Sequence, residues 1–206
     1  MPAQPENPRA VAFFDTQNLY RFAKDCFGYT YPNFDPLSLA QFVCQQKGWT
    51  LTETRLYTGV PRIENDQFWH TFWSNKIAAL KRRGVNCFKR DLANRSKEIQ
   101  NADGTVQKIP FLIEKGIDVR IAIDMITLGR QGTYDVALLF SQDQDLSEVA
   151  IELREIAREK NRWIKVACAF PKGTTRGINK TDWIEISKAD YDSCIDQTDY
   201  RSNPTP

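Results

Sequence analysis

Two short apolar runs in this chain each break off into acids and amides. Val11-Ala12-Phe13-Phe14 leads into Asp15-Thr16-Gln17-Asn18, and Val136-Ala137-Leu138-Leu139-Phe140 leads into Ser141-Gln142-Asp143-Gln144-Asp145. Runs this short and this rich in Val, Leu and Phe read as strands buried on both faces of a parallel sheet. Ligands of open α/β sheets bind beyond the carboxyl ends of such strands, so two strands deliver carboxylates to one edge. A third segment, Glu114-Lys115-Gly116-Ile117-Asp118, opens an apolar helix that also contains Asp124. Crowded carboxylates repel one another unless protons or a hard cation compensate them, so a divalent-metal site is the economical reading. Mg²⁺ or Mn²⁺ held there would activate a water and stabilise charge on a phosphoryl oxygen, with no need of a Ser, Cys or His nucleophile. The plain alternative is that these residues cap strands and form turns, positions that Asp and Asn favour.

The elements that must position these acids alternate along the chain. Ala10 to Asp15 reads as a strand, and Asp35-Pro36 opens a helix that runs to about Gln46 and stops at Gly48, with an acidic N-cap and Pro at the first helical position. Leu51 to Tyr57 alternates as a strand, Asn65 to Arg83 is a long helix ended by Gly84, and Val85 to Arg90 is a third strand. Lys97 to Ile109, with Asn101-Ala102-Asp103-Gly104 at its middle, reads as an inserted β-hairpin. A helix from about Lys115 to Leu128, a strand from Tyr134 to Phe140, a helix from Leu146 to Lys160 and a strand from Trp163 to Phe170 follow, and Trp183 to Ile186 closes the series. Strands alternating with helices imply an α/β fold: a mostly parallel central sheet with helices on both faces. Residues 10–190 form the expected domain, between a disordered stretch at 1–9 and a tail at 191–206.

Composition narrows the function. The 206 residues are 41% hydrophobic and 12% aromatic, a folded globule with a sizeable core. No apolar stretch approaches the roughly 18 residues of a membrane span, and no membrane partner is expected. Five cysteines, Cys26, Cys44, Cys87, Cys168 and Cys194, are odd in number and form no C-x-x-C pair; with no signal-peptide pattern, a cytoplasmic protein with reduced thiols is expected. The only histidine is His70, which argues against a zinc site and gives that residue a structural role. The net charge of +2 does not by itself announce a nucleic-acid binder. Local charge says more: from Lys76 to Lys97 there are eight basic residues and one acid, Asp91.

Several familiar sites are excluded by their motifs. Gln17 stands where a phosphate-transferring aspartate of the haloacid dehalogenase type needs a second carboxylate, and no G-x-G-x-x-G or G-x-x-x-x-G-K-[ST] occurs, so no glycine turn cradles phosphates. What remains is D-x-x-N after the first strand, then K-G-x-D, then S-x-D-x-D. Through Phe14-Asp15-Thr16-Gln17-Asn18-Leu19, Glu114 to Met125 and Ser141-Gln142-Asp143-Gln144-Asp145-Leu146, in that order, the chain resembles the NYN domain family, the PIN-like ribonuclease relatives that include the LabA-like proteins. The resemblance spans about Ala10 to Ile186 and implies a Rossmann-like three-layer fold. It implies metal-binding carboxylates at Asp15, Asp118 and Asp143, a further acidic member at Asp145 and a positioning amide at Asn18. Thr16 and Gln142 stand where the family usually carries glycine, and Leu146 replaces an aromatic residue; glycine permits a close approach that Thr and Gln resist.

The expectation is therefore a metal-dependent ribonuclease using Mg²⁺ or Mn²⁺, with RNA as substrate, DNA as an open alternative and a homo-oligomer as an open state. Its rival is a non-catalytic RNA- or nucleotide-binding regulatory module with the same pocket, and a third reading is an interaction protein with vestigial acids. Lys172, Arg176 and Lys180, after the fifth strand, are candidate substrate contacts. Trp69, Phe72 and Trp73 have helical spacing, which favours core packing over base stacking. Glu114 is read as favouring a helix N-terminus electrostatically. Asp124 lies six residues after Asp118, about 240° round a helix at 3.6 residues per turn, so the two do not face one site.

Overall fold

The computed structural model describes residues 2–100, 105–174 and 176–201. Its strands are β1 Arg9–Asp15, β2 Thr50–Val60, β3 Asn86–Asp91, β4 Ala93–Gln100, β5 Val106–Ile113, β6 Val136–Phe140, β7 Lys165–Pro171 and β8 Asp182–Ile186. Its helices are α1 Thr16–Phe27, α2 Pro36–Lys47, α3 Gln67–Arg82, α4 Ile117–Gln131, α5 Ser147–Glu159 and α6 Lys188–Asp192. Six strands form one sheet in the order β3-β2-β1-β6-β7-β8, every neighbouring pair parallel. From β1 the chain winds outward to β3, then returns to the centre at β6 and winds out the other way. The order reverses between β1 and β6, and such a reversal opens a crevice at the carboxyl ends of the strands.

Both central strands are buried on both faces, which is why they read as unbroken apolar runs. Ala10, Ala12 and Phe14 pack on one side with Leu19 and Ala23 of α1 and Leu39, Ala40 and Val43 of α2. Val11 and Phe13 pack on the other with Ile117, Ile121 and Met125 of α4 and Val149, Ala150 and Leu153 of α5. Burying each of the Val, Leu, Ile, Phe and Met side chains among them contributes roughly 1.5–3 kcal/mol, so the middle of the sheet is the rigid part of the molecule. The five cysteines are unpaired, and His70 bonds the Pro61 carbonyl through Nδ1 at 2.9 Å, a structural role.

Helices α1 and α6 are additions to the expected pattern. Helix α1 starts directly at the end of β1, with Asp15 as its N-cap and Gly28 in the left-handed conformation as its stop. Its only buried residues are Thr16, Leu19 and Ala23, a narrow stripe that the polar residues between them conceal. The hairpin is longer than expected: β4 and β5 form a separate antiparallel ribbon from Ala93 to Ile113. Nearly all of it is exposed, Phe111, Ile109 and Val106 included, and only Ala93, Leu112 and Ile113 at its root are half-buried. The Asn101–Gly104 turn lies outside the described residues.

Lys76 corrects the picture of a continuous basic stripe. It is 1% exposed, and its ammonium donates to the carbonyls of Phe34 at 2.9 Å and Pro32 at 3.2 Å and pairs with Asp196 at 3.4 Å. The rings of Phe34 and Tyr200 lie 5.5 and 5.3 Å from it. Burial works against the Asp196 carboxylate, but the Lys76 ammonium and the Tyr200 hydroxyl outweigh it and hold its pKa below the ordinary range. Arg83 likewise turns inward to Asp35 at 2.6 Å.

This buried pair fastens the segment after α6 to α3. Removing one partner leaves a buried charge uncompensated, which typically costs 3–5 kcal/mol. Asp196→Ala is expected to lower unfolding free energy by about that much and to open residues 197–201 to proteolysis. Urea denaturation with limited proteolysis checks it, and unchanged stability would return the pair to a minor role.

Candidate active site

The crevice between β1 and β6 holds the acids. Asp15 ends β1, and its carboxylate accepts from the Asn18 N–H at 3.2 Å and from the Ser141 hydroxyl, just past β6, at 3.1 Å. That hydroxyl in turn accepts from the Asp143 N–H at 3.1 Å. The Asn18 side-chain oxygen accepts from the Gln142 N–H at 2.8 Å. Two strand ends are thus laced together by polar contacts, and the chain turns into α1 and α5 from a shared network.

Asp15 is 6% exposed. Burial pushes its pKa up to about 6, against the hydrogen bonds from Asn18 and Ser141 and with the help of the charges of Asp143 and Asp118. Asp118 reaches the cluster from the first turn of α4, whose N-cap is Gly116 at φ 69°. That left-handed φ favours glycine there, while a Cβ would meet only the movable end of the exposed Arg90 side chain, 2.6 Å away.

Glu114 is the residue that sequence reasoning undervalued. It does not merely favour a helix end: its carboxylate accepts from the Gly59 N–H at 2.6 Å. Burial, then the charge of Asp15, pushes its pKa up to about 7, with Asp118 adding to the rise and Arg21 opposing it. A Cβ on Gly59 would meet Leu92 at 2.4 Å and Glu114 at 2.6 Å; only glycine lets β2 come this close. The available signal was positional, since Glu114 stands where the hairpin returns to the crevice.

The other candidates fall in different places. Asp143 is half-buried, and its carboxylate accepts from the Asp145 N–H at 3.1 Å. Asp145 is exposed and enters this network through its backbone. Asp124 faces away, bonded to Arg55 at 3.2 Å, Tyr57 at 2.8 Å and Arg120 at 2.9 Å, as its angular offset from Asp118 requires. Arg176 lies on a loop tied to the site, because the Gln142 side-chain amide donates to the Arg176 carbonyl at 2.6 Å and to Thr174 at 2.8 Å. Lys172 lies 4.0 Å from Glu185 of β8, and the Lys180 carbonyl accepts from Arg154 at 2.7 Å; neither contact belongs to the acid cluster.

Among the described residues, no three Asp, Glu, His or Cys side chains stand close enough together to grip a metal ion directly. The donor set still fits a hard cation. It consists of carboxylate oxygens, and Asp15 among them is buried and raised in pKa chiefly by that burial. Mg²⁺ keeps several waters and is commonly bound through only one or two carboxylates.

The NYN domain model matches residues 9–177 of the chain. No curated protein matches it. Among solved structures, a protein of unknown function from Vibrio parahaemolyticus superposes with a TM-score of 0.54 at 17% identity, over 92% of this chain and 99% of that one; this likeness is one of fold. Giardia lamblia ribokinase (TM-score 0.36, 6% identity, 60% of this chain and 37% of that one) and Acinetobacter baumannii MurG (0.33, 14%, 79% and 35%) are more distant and carry no argument.

The raised acids set a pH dependence. Because the folded-state pKa of Asp15 and of Glu114 lies above the ordinary value, the folded protein holds more protons than the unfolded chain between about pH 4 and 7, and stability falls as pH rises through that window. At about 1.4 kcal/mol per pK unit, Asp15 alone lowers metal-free stability on the order of 1–2 kcal/mol from pH 5 to pH 7.5. Asp15→Asn, nearly isosteric and uncharged, is expected to flatten that slope and raise Tm at pH 7.5. Thermal unfolding in EDTA at both pH values measures it; a variant with the wild-type slope would remove Asp15 as its source.

Proposed function

The chain belongs to the NYN domain family, whose members are of the PIN-like nuclease type, and from that premise we propose that it is a metal-dependent ribonuclease that hydrolyses RNA phosphodiester bonds. The observation that carries this reading is the buried Asp15 carboxylate, raised in pKa with Asp118 and Asp143 nearby, at the crevice where the strand order reverses. Negative charge held against repulsion favours a cationic ligand, and a phosphodiester needs one to be approached by a nucleophile.

In this reading Asp15, Asp118 and Asp143 would hold Mg²⁺ or Mn²⁺, one or two of them directly and the rest through its waters. When bound, the cation supplies charge compensation on phosphoryl oxygens and activation of water. Glu114 moves the proton. One of its oxygens is fixed by the Gly59 N–H, which leaves the other to accept a proton from the attacking water, the task of a positioned general base. The water oxygen would then bond to phosphorus as the bond to the leaving ribose oxygen breaks, and that oxygen would take up a proton from solvent while Glu114 keeps the one it received. Asn18 and Ser141 orient Asp15, and Asp145 borders the site through its N–H to Asp143. Arg176 is the best placed of the three basic candidates to meet the RNA backbone, since its loop is anchored to Gln142.

Purified protein is expected to cleave RNA with Mg²⁺ or Mn²⁺ and to stop in EDTA. Asp15→Asn should abolish cleavage with the circular dichroism spectrum unchanged, and Glu114→Gln should lower kcat by about 10²- to 10⁴-fold, the usual worth of a positioned general base. A gel assay on a labelled oligoribonucleotide decides it. Cleavage by Asp15→Asn at the wild-type rate would end the metal-site assignment, and RNA binding without cleavage by the wild type would favour the regulatory-module reading.

A further inference from the structure

A second cavity opens beside the acid cluster. It has a volume of about 400 Å³ and lies between α1, the start of α3 and the root of the β4–β5 ribbon, with Thr16, Gln17 and Gly59 in its wall. Those residues also border the crevice: Thr16 follows Asp15, and Gly59 donates to Glu114. The cavity therefore adjoins the acid cluster through Thr16 and Gly59. Its size falls in the ordinary range of small-ligand pockets.

Its lining is of two kinds. Tyr20, Trp69 and Trp73 contribute aromatic surface, and Leu92 and Leu112 at the foot of the ribbon contribute aliphatic surface. Arg21 and Lys24, both exposed on α1, stand at its edge, and Arg21 is close enough to Glu114 to act on its charge. Aromatic faces with flanking cations suit a base and the phosphate attached to it. Two polar groups address such a ligand. The Thr16 hydroxyl is fully buried with no hydrogen-bond partner, and a buried hydroxyl left unpaired is costly. Asp66, the N-cap of α3, also lines the cavity and offers a carboxylate to an exocyclic amine.

We propose that this cavity is a nucleobase subsite: it takes one unpaired base of the RNA, next to the scissile phosphate, between Tyr20 and Trp69, with Arg21 and Lys24 on the adjoining phosphate. The proposal rests on the nuclease reading for the orientation of the strand. It makes the substrate single-stranded at that nucleotide, because a paired base is stacked in a helix and cannot enter a pocket of this kind.

The test is binding in EDTA, so that it does not depend on cleavage. The probe is a short single-stranded RNA carrying one 2-aminopurine, moved position by position, together with the same strand annealed to its complement. One register is expected to show quenched fluorescence on binding, the duplex none. Tyr20→Leu and Trp69→Leu are each expected to abolish the quench and weaken affinity about 5- to 100-fold, the range of one base–aromatic stack. Trp69 also packs against Phe72, with ring centroids 5.2 Å apart, so the half-buried Tyr20 is the variant that decides if Trp69→Leu fails to fold. No quench at any register, an equal quench in the duplex, or a quench indifferent to Tyr20→Leu overturns the proposal. A quench that behaves as expected in a protein that does not cleave with Mg²⁺ or Mn²⁺ leaves the subsite standing and sinks the nuclease reading. Cleavage with no quench does the reverse.

Discussion

The hydrogen bond from Ser141 to Asp15 spans the seam on which the molecule is organised. It joins the carboxyl ends of β1 and β6, adjacent strands 126 positions apart in the chain, at the point where the sheet changes winding direction. An acid placed there is surrounded by apolar sheet behind and open crevice in front. Its environment raises its pKa, and the same environment makes it useful, because a carboxylate deprived of water binds a cation more strongly than one on the surface. The remaining acids arrive from elements that have to pass this seam: Asp118 on the first turn of α4, Asp143 on the turn before α5, and Glu114 on the return from the ribbon.

Repulsion among these groups is resisted by backbone donors, with the charge of Arg21 acting on Glu114 besides. The Asn18 N–H holds Asp15, the Gly59 N–H holds Glu114 and the Asp145 N–H holds Asp143. Each donor belongs to an element packed into one of the two main cores or immediately flanking it, so the cluster does not relax by swinging apart. This also explains the two positions at which the chain departs from the usual glycines of its family. Gln142 uses its side chain to hold Thr174 and the Arg176 carbonyl, which a glycine has no means to do. Thr16 places a buried hydroxyl at the mouth of the neighbouring cavity. Both departures add groups beside the acids and leave the acids in place.

The central sheet was legible because burial on both faces writes an uninterrupted apolar run, and β1 and β6 carry two of the clearest in the chain. Helix α2 was legible from its ends, Asp35 with Pro36 and then Gly48. Helix α1 was not, since its N-cap is the residue that the chemistry had already claimed, and a stripe of Thr16, Leu19 and Ala23 is too thin to register among charged neighbours. The acids could be named from their places after strands, but not their environments. The environment of Glu114 was not legible, because its partner Gly59 lies 55 residues away and no local pattern predicts that contact. The basic run failed in the opposite way: a list of charges cannot say that Lys76 is buried under Phe34 and Tyr200.

The ribbon ties these observations together. It leaves the sheet after Asp91 and returns at Glu114, so both of its roots stand at the crevice. Across its register Arg95 faces Phe111 and Lys97 faces Ile109, which puts cations and exposed apolar groups on one face, since side chains alternate along a strand. A two-stranded ribbon of this kind has little stability of its own, and what fixes its base is Leu92 packed over Gly59 beside the Glu114 hydrogen bond. The close approach at Gly59 therefore sets two things at once: the position of the Glu114 carboxylate and the direction in which the ribbon leaves the fold. A side chain at Gly59 would meet both Leu92 and Glu114, so the geometry of the acid cluster and the course of the ribbon are coupled at one residue.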